Sequence, residues 1–219
     1  MRDDDAIERL LAVLAADPEA PSSVTDIARA RDVHIADSLS GLAVAELAAA
    51  RRIADIGSGA GFPGLPLAIA LANAQVDLIE ATGRKCAFMD RAIAAAGIAN
   101  ARTLAHRSEE VAAGEGRESY DIVTVRAVGR LSTLAELASP LLREGGVLIA
   151  WKGKRDPGEE AEFARAADAL VMESLEVLAV GPYAGSRNRH LHTIRKSGPT
   201  PANLPRRPGI AKKRPLGAA

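Results

Sequence analysis

The residue types and spacing of a nucleotide-binding turn occur at residues 55–64, which read DIGSGAGFPG. Glycine lets the backbone adopt positive φ and lets a ligand approach the main chain closely. A predicted strand precedes the segment and a predicted helix follows it, which is the context that such a turn requires. Four glycines in such a short stretch favour a bound ligand over a simple strand-to-helix turn.

The glycines alone do not identify that ligand. Residues 59–64 match the G-x-G-x-x-G pattern of dinucleotide-binding turns, so a nicotinamide-dependent oxidoreductase is one interpretation. Asp55, two residues before Gly57, instead offers a carboxylate to an ammonium group, which suits the amino-acid end of S-adenosylmethionine. Glu80 ends the second predicted strand and can accept the ribose hydroxyls of either cofactor, although a solvated strand end is the simpler alternative.

Three further residues follow predicted strands. Ser108 and Glu109 come after the third strand, where they can reach an adenine amino group or, equally well, begin a helix. Arg126 ends the fourth strand and points to the reaction centre in such a fold. Its guanidinium could contact a cofactor carboxylate, an RNA phosphate or a base edge, or it could pair with a neighbouring carboxylate.

An alternation of strands and helices must position these residues. Near-continuous apolar strands separated by helices indicate a buried parallel sheet with helices on both faces, and two closing strands with a short connection indicate an antiparallel edge hairpin. This predicts an α/β, Rossmann-like sheet of seven mostly parallel strands, the outline of class I S-adenosylmethionine-dependent methyltransferases. The predicted strands are 51–57, 75–81, 101–107, 120–128, 146–153, 174–183 and 189–197, and the predicted helices are 64–72, 84–97, 131–142 and 157–170.

Segments of different character flank the sheet. Residues 5–16 and 37–50 have helical apolar spacing and predict an N-terminal helical extension. The last residues are rich in proline and basic side chains, which predicts an extended basic tail that does not pack. We therefore divide the chain into an extension at 1–50, a methyltransferase-like domain at 51–197 and a tail at 198–219.

Composition and charge limit the function classes. The 28 basic and 28 acidic residues give a net charge of zero. Nine arginines and lysines and no carboxylates follow Glu176, so the end of the chain can bind phosphates. The single cysteine, Cys86, excludes an internal disulfide and a cysteine-built zinc site, and we expect no metal. An acidic start and the lack of a long apolar run predict a cytoplasmic protein that does not enter membranes.

The sequence lacks the signatures of two classes of nucleic-acid methyltransferase. A cytosine-C5 methyltransferase needs a nucleophilic cysteine near the fourth strand, whereas Cys86 lies in the helix after the second. Exocyclic-amine methyltransferases usually carry an Asn/Asp-Pro-Pro-aromatic turn where residues 125–130 read VRAVGR. Guanine N7 already has a free lone pair, so its methylation needs positioning and no general base.

Taken together, the sequence resembles one family, bacterial ribosomal RNA small-subunit methyltransferase G, also called glucose-inhibited division protein B. The resemblance covers about residues 22–216. It implies S-adenosylmethionine as the cofactor, 16S rRNA of the small ribosomal subunit as the partner, and transfer of methyl to guanine N7. A methyltransferase of another RNA is the rival interpretation, and we expect a monomer. The segments that carry the resemblance are VTDI (24–27), HIADSL (34–39), DIGSGAGFPGLPLAI (55–69), LIEATGRKCAFM (78–89), RSEE (107–110), VRAV (125–128) and PRRPGIAKKRPL (205–216).

The resemblance also implies roles for individual residues. It adds Phe62 to the cofactor contacts and gives the basic end an RNA-binding role. His34 and Asp37 are either a polar pair facing the substrate or a helix cap. Arg126 is the one catalytic candidate. The candidate cofactor residues are Asp55, Gly57, Gly59, Phe62, Glu80, Ser108, Glu109 and Arg126, and the candidate RNA contacts are Arg187, Arg189, Arg206, Arg207, Lys212 and Lys213.

Overall fold

The structure, a computed structural model, describes residues 2–24, 26–126 and 129–218. Seven strands form one sheet in the order β3-β2-β1-β4-β5-β7-β6, in which β1 to β5 are parallel and β7 is antiparallel to both of its neighbours. The predicted mostly parallel sheet with an antiparallel edge hairpin is confirmed. The strands are β1 (Arg52–Ile56), β2 (Gln75–Ile79), β3 (Ala101–Leu104), β4 (Tyr120–Arg126), β5 (Leu142–Lys152), β6 (Met172–Val180) and β7 (Arg189–Lys196).

Helices connect the strands and cover both faces of the sheet. Ile53 and Ile149 belong to one buried cluster with α1 and α6, whereas the adjacent residues Ala54 and Leu148 belong to a second cluster with α8 and α9. This alternation follows from the two-residue period of a strand. The helices are α1 (Arg2–Ala16), α2 (Ile27–Ala30), α3 (Asp37–Leu39), α4 (Ala45–Ala48), α5 (Gly64–Ala70), α6 (Gly83–Ala96), α7 (Ser108–Ala113), α8 (Leu131–Ala138), α9 (Pro157–Leu170) and α10 (Ile210–Lys213).

The helical extension differs from its prediction. A π-helical turn, Arg31–Ala36, joins α2 to α3, and a 3-10 turn, Ser40–Ala43, follows α3. The predicted continuous helix at 37–50 is wrong, because Val44 has an extended backbone with φ −86° and ψ 114° that separates the 3-10 turn from α4. π-Helical turns occur often at functional sites, and this one places His34 beside the sheet.

Two other predicted boundaries change. The helix predicted over 131–142 ends at Ala138, because Pro140 has no amide hydrogen to continue the helical hydrogen bonds, and β5 then begins at Leu142. The predicted end of β4 at 127–128 lies outside the described residues. None of the helices within the described ranges combines the length and the apolar character that crossing a membrane would need.

The C-terminal segment, residues 198–218, is packed, so the prediction of an extended tail is wrong. Leu204 is 2% exposed and Ala211, in α10, is 3% exposed. Arg206 donates two hydrogen bonds of 2.5 Å to the carboxylate of Glu136 in α8. The segment and the extension both share the core of the sheet, so the division at 50 and 197 stays a proposal about organisation.

Candidate functional site

The glycine turn follows β1 and is held from behind by Asp55. Gly57, Gly59 and Gly61 have φ values of 66°, 61° and 89°, which only glycine adopts freely. Asp55 is fully buried; one carboxylate oxygen accepts from Thr124 Oγ1 at 2.9 Å and the other from the Gly64 amide at 3.2 Å. Burial raises the pKa of Asp55 to about 6. Asp55 therefore holds the turn in place, and its predicted contact with the cofactor stays a prediction.

Gly64→Ala is expected to destabilise the fold by about 2–4 kcal/mol, since overpacking of a tight site forces the surroundings apart. A Cβ at Gly64 would overlap Leu78 and lie 2.9 Å from the Asp55 carboxylate. The matched control is Gly83→Ala at the start of α6, where a Cβ would meet nothing within 4 Å. Chemical unfolding measures both variants. Equal stability of the two would contradict this account of the turn.

Glu80 lies directly opposite the glycine turn. Its carboxylate accepts hydrogen bonds from the Thr82 amide at 2.8 Å and the Gly59 amide at 3.3 Å, and Lys85 Nζ lies 3.6 Å away. Burial acts to raise the pKa of Glu80, but the Thr82 hydrogen bonds and the Lys85 charge outweigh it and lower the pKa. Glu80 is therefore a fixed, ionised acceptor at the carboxyl end of β2.

A cavity of about 580 Å³ opens beside Glu80, and we call it the Glu80 cavity. Its volume lies within the range of about 300–1,000 Å³ that is usual for small-molecule sites. It lies at the carboxyl ends of β1 and β2, where parallel α/β sheets bind their ligands. Its wall is formed by Ile56, Gly57, Ile79, Glu80, Ala81, His106, Arg107, Ser108, Glu109, Gly129, Arg130, Thr133, Leu137, Gly209, Ala211, Lys212 and Pro215.

Ser108 and Glu109 begin α7 on one side of this cavity, and both are buried. The Ser108 hydroxyl donates to Glu109 Oε2 at 3.2 Å, and Arg107, not Ser108, is the N-cap. Glu109 Oε1 accepts from the Gly209 amide of the C-terminal segment at 2.8 Å. The C-terminal segment is thus part of the cavity wall, a contribution that the sequence did not predict.

Arg126 lies outside the Glu80 cavity, in a second group of polar residues. Its guanidinium donates to the Val33 carbonyl at 2.9 Å and to Asp37 Oδ2 at 3.1 Å, and lies 3.2 Å from His34 Nδ1. Arg126 is therefore paired with a neighbouring carboxylate, as its alternative interpretation predicted. The helix-cap interpretation of Asp37 is wrong, because the helical backbone continues through Ala36 and the Asp37 side chain caps nothing.

Phe62 links the glycine turn to this group. Its ring stacks on His34 with centroids 4.5 Å apart, and Arg126 lies 5.6 Å from the ring centroid. Burial, and then the charge of Arg126, lower the pKa of His34 to about 4. A neutral imidazole can accept a hydrogen bond from Arg126, so the arrangement is consistent near neutral pH. The Phe62 ring therefore lies between the backbone of the glycine turn and the His34 ring.

The wild type is expected to lose stability relative to His34→Gln as the pH falls from 6.5 to 4. The pKa of His34 in the folded protein is lowered to about 4. Its contribution to the free energy of unfolding is therefore fully present above pH 6.5 and is lost as the pH falls toward 4. The loss is on the order of 3 kcal/mol. Asp55 has the opposite effect on stability, because its pKa is raised to about 6 and its protonation favours the folded state as the pH falls. This effect is the same in the wild type and in the variant, so it cancels in the difference between them. Urea unfolding at several pH values measures the difference, and a constant difference would contradict the prediction.

The predicted RNA contacts divide into two groups. Arg206 is committed to Glu136, and an Arg189 Nη donates to Tyr183 while its Nε lies 3.7 Å from Asp37 without a hydrogen bond, so neither residue is freely exposed. The second group is exposed and forms no ion pair within the described part of the chain; its members are Arg187, Arg207, Lys212 and Lys213. In the same part of the chain, no group of three or more His, Cys, Asp or Glu residues is placed to hold a metal ion.

Comparison with known proteins identifies the family. The family model of rRNA small subunit methyltransferase G matches residues 21–192. The chain belongs to this family. A ribosomal RNA small subunit methyltransferase G from Chloroflexus aggregans is 45% identical over 186 residues, covering 84% of this chain and 76% of the relative. The protein of that name from Gloeobacter violaceus is 41% identical over 186 residues, covering 84% and 74%.

A solved structure shows the same fold at low sequence identity. Fibrillarin from Aeropyrum pernix, in complex with natively bound S-adenosyl-L-methionine, superimposes with a TM-score of 0.57. It is 13% identical, and the match covers 73% of this chain and 72% of fibrillarin. The predicted Rossmann-like methyltransferase fold and the predicted family are both confirmed, and family membership decides against the oxidoreductase interpretation.

Proposed function

We propose that this chain transfers the methyl group of S-adenosylmethionine to N7 of a guanine in 16S rRNA. The observation that supports this most is the Glu80 cavity, found beside a positive-φ glycine turn in a member of the rRNA small subunit methyltransferase G family. When bound, the cofactor supplies an electrophilic methyl group. A monomeric state, a cytoplasmic location and the absence of a metal remain predictions.

The residues around the cavity fit this cofactor. Glu80 is an ionised acceptor for the two ribose hydroxyls, and Gly57 gives a ligand close access to the backbone after β1. Ser108 and Glu109 line the cavity near β3, where an adenine amino group would find an acceptor. Asp55 supports the turn by accepting a hydrogen bond from the Gly64 amide, and the Gly59 amide donates to Glu80.

The group around Arg126 fits an acceptor atom that needs no deprotonation. His34 Nδ1 lies against Arg126, and Asp37 is paired with it, so neither is a free general base. Guanine N7 presents a lone pair at neutral pH, and positioning it in line with the methyl group provides the catalysis. Arg126, the catalytic candidate, acts in this proposal by fixing His34 and Asp37.

RNA is proposed to bind through the exposed cations of the C-terminal segment and the β6–β7 connection. Arg187, Arg207, Lys212 and Lys213 are exposed, and Lys212 also lines the Glu80 cavity. Contacts to phosphates from such residues supply affinity that falls steeply with salt. Arg206 is better interpreted as a structural residue, because its guanidinium is held by buried Glu136.

The direct test uses 30S subunits from a strain that lacks this protein. The purified protein is incubated with these subunits and radiolabelled S-adenosylmethionine, and the product is mapped by strand scission specific for N7-methylguanine. A single labelled guanine in 16S rRNA is the expected result. Incorporation into tRNA alone, or no incorporation despite measurable cofactor binding, would overturn the assignment. Subunits that already carry the modification are the matched control and should accept no label.

A further inference from the structure

A second cavity, of about 300 Å³, lies at the carboxyl ends of β4 and β5, and β4 neighbours β1 in the sheet. We call it the Arg126 cavity. Its lining includes His34, Asp37, Arg126, Trp151 and Arg189. Phe62 and His34 separate it from the glycine turn, so an occupant would sit beside the ligand of the Glu80 cavity. Its volume and aromatic lining fit a single nucleobase extracted from its stack.

Two buried polar atoms at this cavity lack partners. Asp37 is 6% exposed, and its Oδ1 accepts no hydrogen bond in the described part of the chain. Arg189 Nε, 3.7 Å from that oxygen, likewise donates none among the described residues. Buried polar atoms are nearly always paired, because an unpaired one costs about 1–3 kcal/mol. The two atoms face each other at ion-pair distance with no hydrogen bond between them, so a base edge that entered between them would supply the donor and the acceptor that they lack.

Guanine has that complementary edge. If N7 faces the methyl donor, the enzyme must hold the base from its Watson–Crick edge, where N1–H and the 2-amino group donate and O6 accepts. Because Arg126 holds Oδ2, Asp37 Oδ1 is the oxygen that would accept from these donors, and a guanidinium would donate to O6. Adenine presents an acceptor at N1 and a donor at N6, so the same protein atoms would oppose it.

We propose that Asp37 and Arg189 bind the Watson–Crick edge of the acceptor guanine in the Arg126 cavity. This inference rests on the proposed function, because that function fixes N7 as the reacting atom. Arg126 holds Asp37 Oδ2, and Trp151 Nε1 donates to the Asp37 carbonyl at 2.8 Å, so the carboxylate is oriented before the base arrives. Specificity for guanine then comes from the π-helical turn, which brings Asp37 to β4.

The test measures binding of free nucleotides to the full-length protein by saturation-transfer NMR. We expect GMP to bind about tenfold or more tightly than AMP, with IMP between them because it lacks the 2-amino group. Asp37→Asn should remove the preference for GMP, and Arg189→Lys, which keeps the charge but lacks Nε, should reduce it. Asp32→Asn, in the π-helical turn but outside the cavity, should keep it.

The outcomes separate this inference from the proposed function. Binding of S-adenosylhomocysteine to each variant shows whether the Glu80 cavity is intact, so a merely structural role of Asp37 would change that affinity and leave the nucleotide ratio unchanged. Equal binding of GMP and AMP by the wild type, or no detectable binding of either, would overturn the inference. Labelling of 30S subunits, measured separately, decides the proposed function in either case.

Discussion

Glu80→Gln is expected to weaken binding of S-adenosylmethionine by about 30- to 100-fold. Hydrogen bonds to a charged group are worth about 1.5–3 kcal/mol each and those between neutral groups about 0.5–1.5, so neutralising an acceptor of two hydroxyls costs roughly 2–3 kcal/mol. The amide nitrogen of a glutamine would also face the Thr82 or the Gly59 amide, donor against donor. Isothermal titration calorimetry gives the affinity directly.

The control for this substitution is Glu173→Gln, which removes an exposed carboxylate on the edge strand β6. Its affinity for the cofactor should equal that of the wild type. Thermal unfolding without ligand should place Glu173→Gln close to the wild type and should show for Glu80→Gln a modestly lower midpoint with one cooperative transition, so that the affinity is measured on folded protein. An unchanged affinity of Glu80→Gln would show that the ribose is held elsewhere and would remove the main support for the cofactor site.

Arg206→Ala is expected to destabilise the protein by about 3–5 kcal/mol, because it leaves the charge of Glu136 buried without a partner. Glu136 is 3% exposed as a residue, and both of its oxygens accept from Arg206. Arg206 also donates to the Arg214 carbonyl at 2.7 Å, so the C-terminal segment should loosen and the Glu80 cavity should bind its ligand less tightly. Urea unfolding and calorimetry measure the two effects.

The adjacent residue provides a matched comparison. Arg207→Ala removes an exposed guanidinium, so stability should change by no more than about 0.5 kcal/mol and only the salt-dependent binding of RNA should weaken. The double variant Arg206→Met with Glu136→Leu should recover most of the lost stability, since apolar groups can replace a buried ion pair. Equal effects of the two single arginine substitutions would contradict the assignment of Arg206 to structure and Arg207 to RNA.

The sheet and the Glu80 side of the site could be predicted because their signals are local. Strands, glycine turn and helix follow one another within a few tens of residues, and the carboxyl ends of parallel strands share one edge. The position of Glu80 at the carboxyl end of β2 therefore follows from the sequence pattern. Asp55 was placed at the correct strand end, but its orientation depends on Thr124, which lies on a neighbouring strand 69 positions away.

The other features depend on pairs that are distant in the sequence. Arg126 meets Asp37 across 89 positions and Arg206 meets Glu136 across 70, and each partner alone has the pattern of a solvated charge. The C-terminal segment was interpreted as extended because proline and lysine are typical of exposed chain. Its packing depends on a few residues, such as Leu204 and Ala211, that carry no periodic signal.

The position of the C-terminal segment in the wall of the Glu80 cavity affects how the protein is made and handled. All seven strands precede residue 197, so the segment that contains Gly209 and Pro215 adds no strand to the sheet but completes the wall of the cavity. The ligand site therefore depends on residues that lie outside the sheet. A protein shortened after α10 would keep every strand and the pair of Arg206 with Glu136, and so a normal circular dichroism spectrum, while lacking Pro215 from the cavity wall.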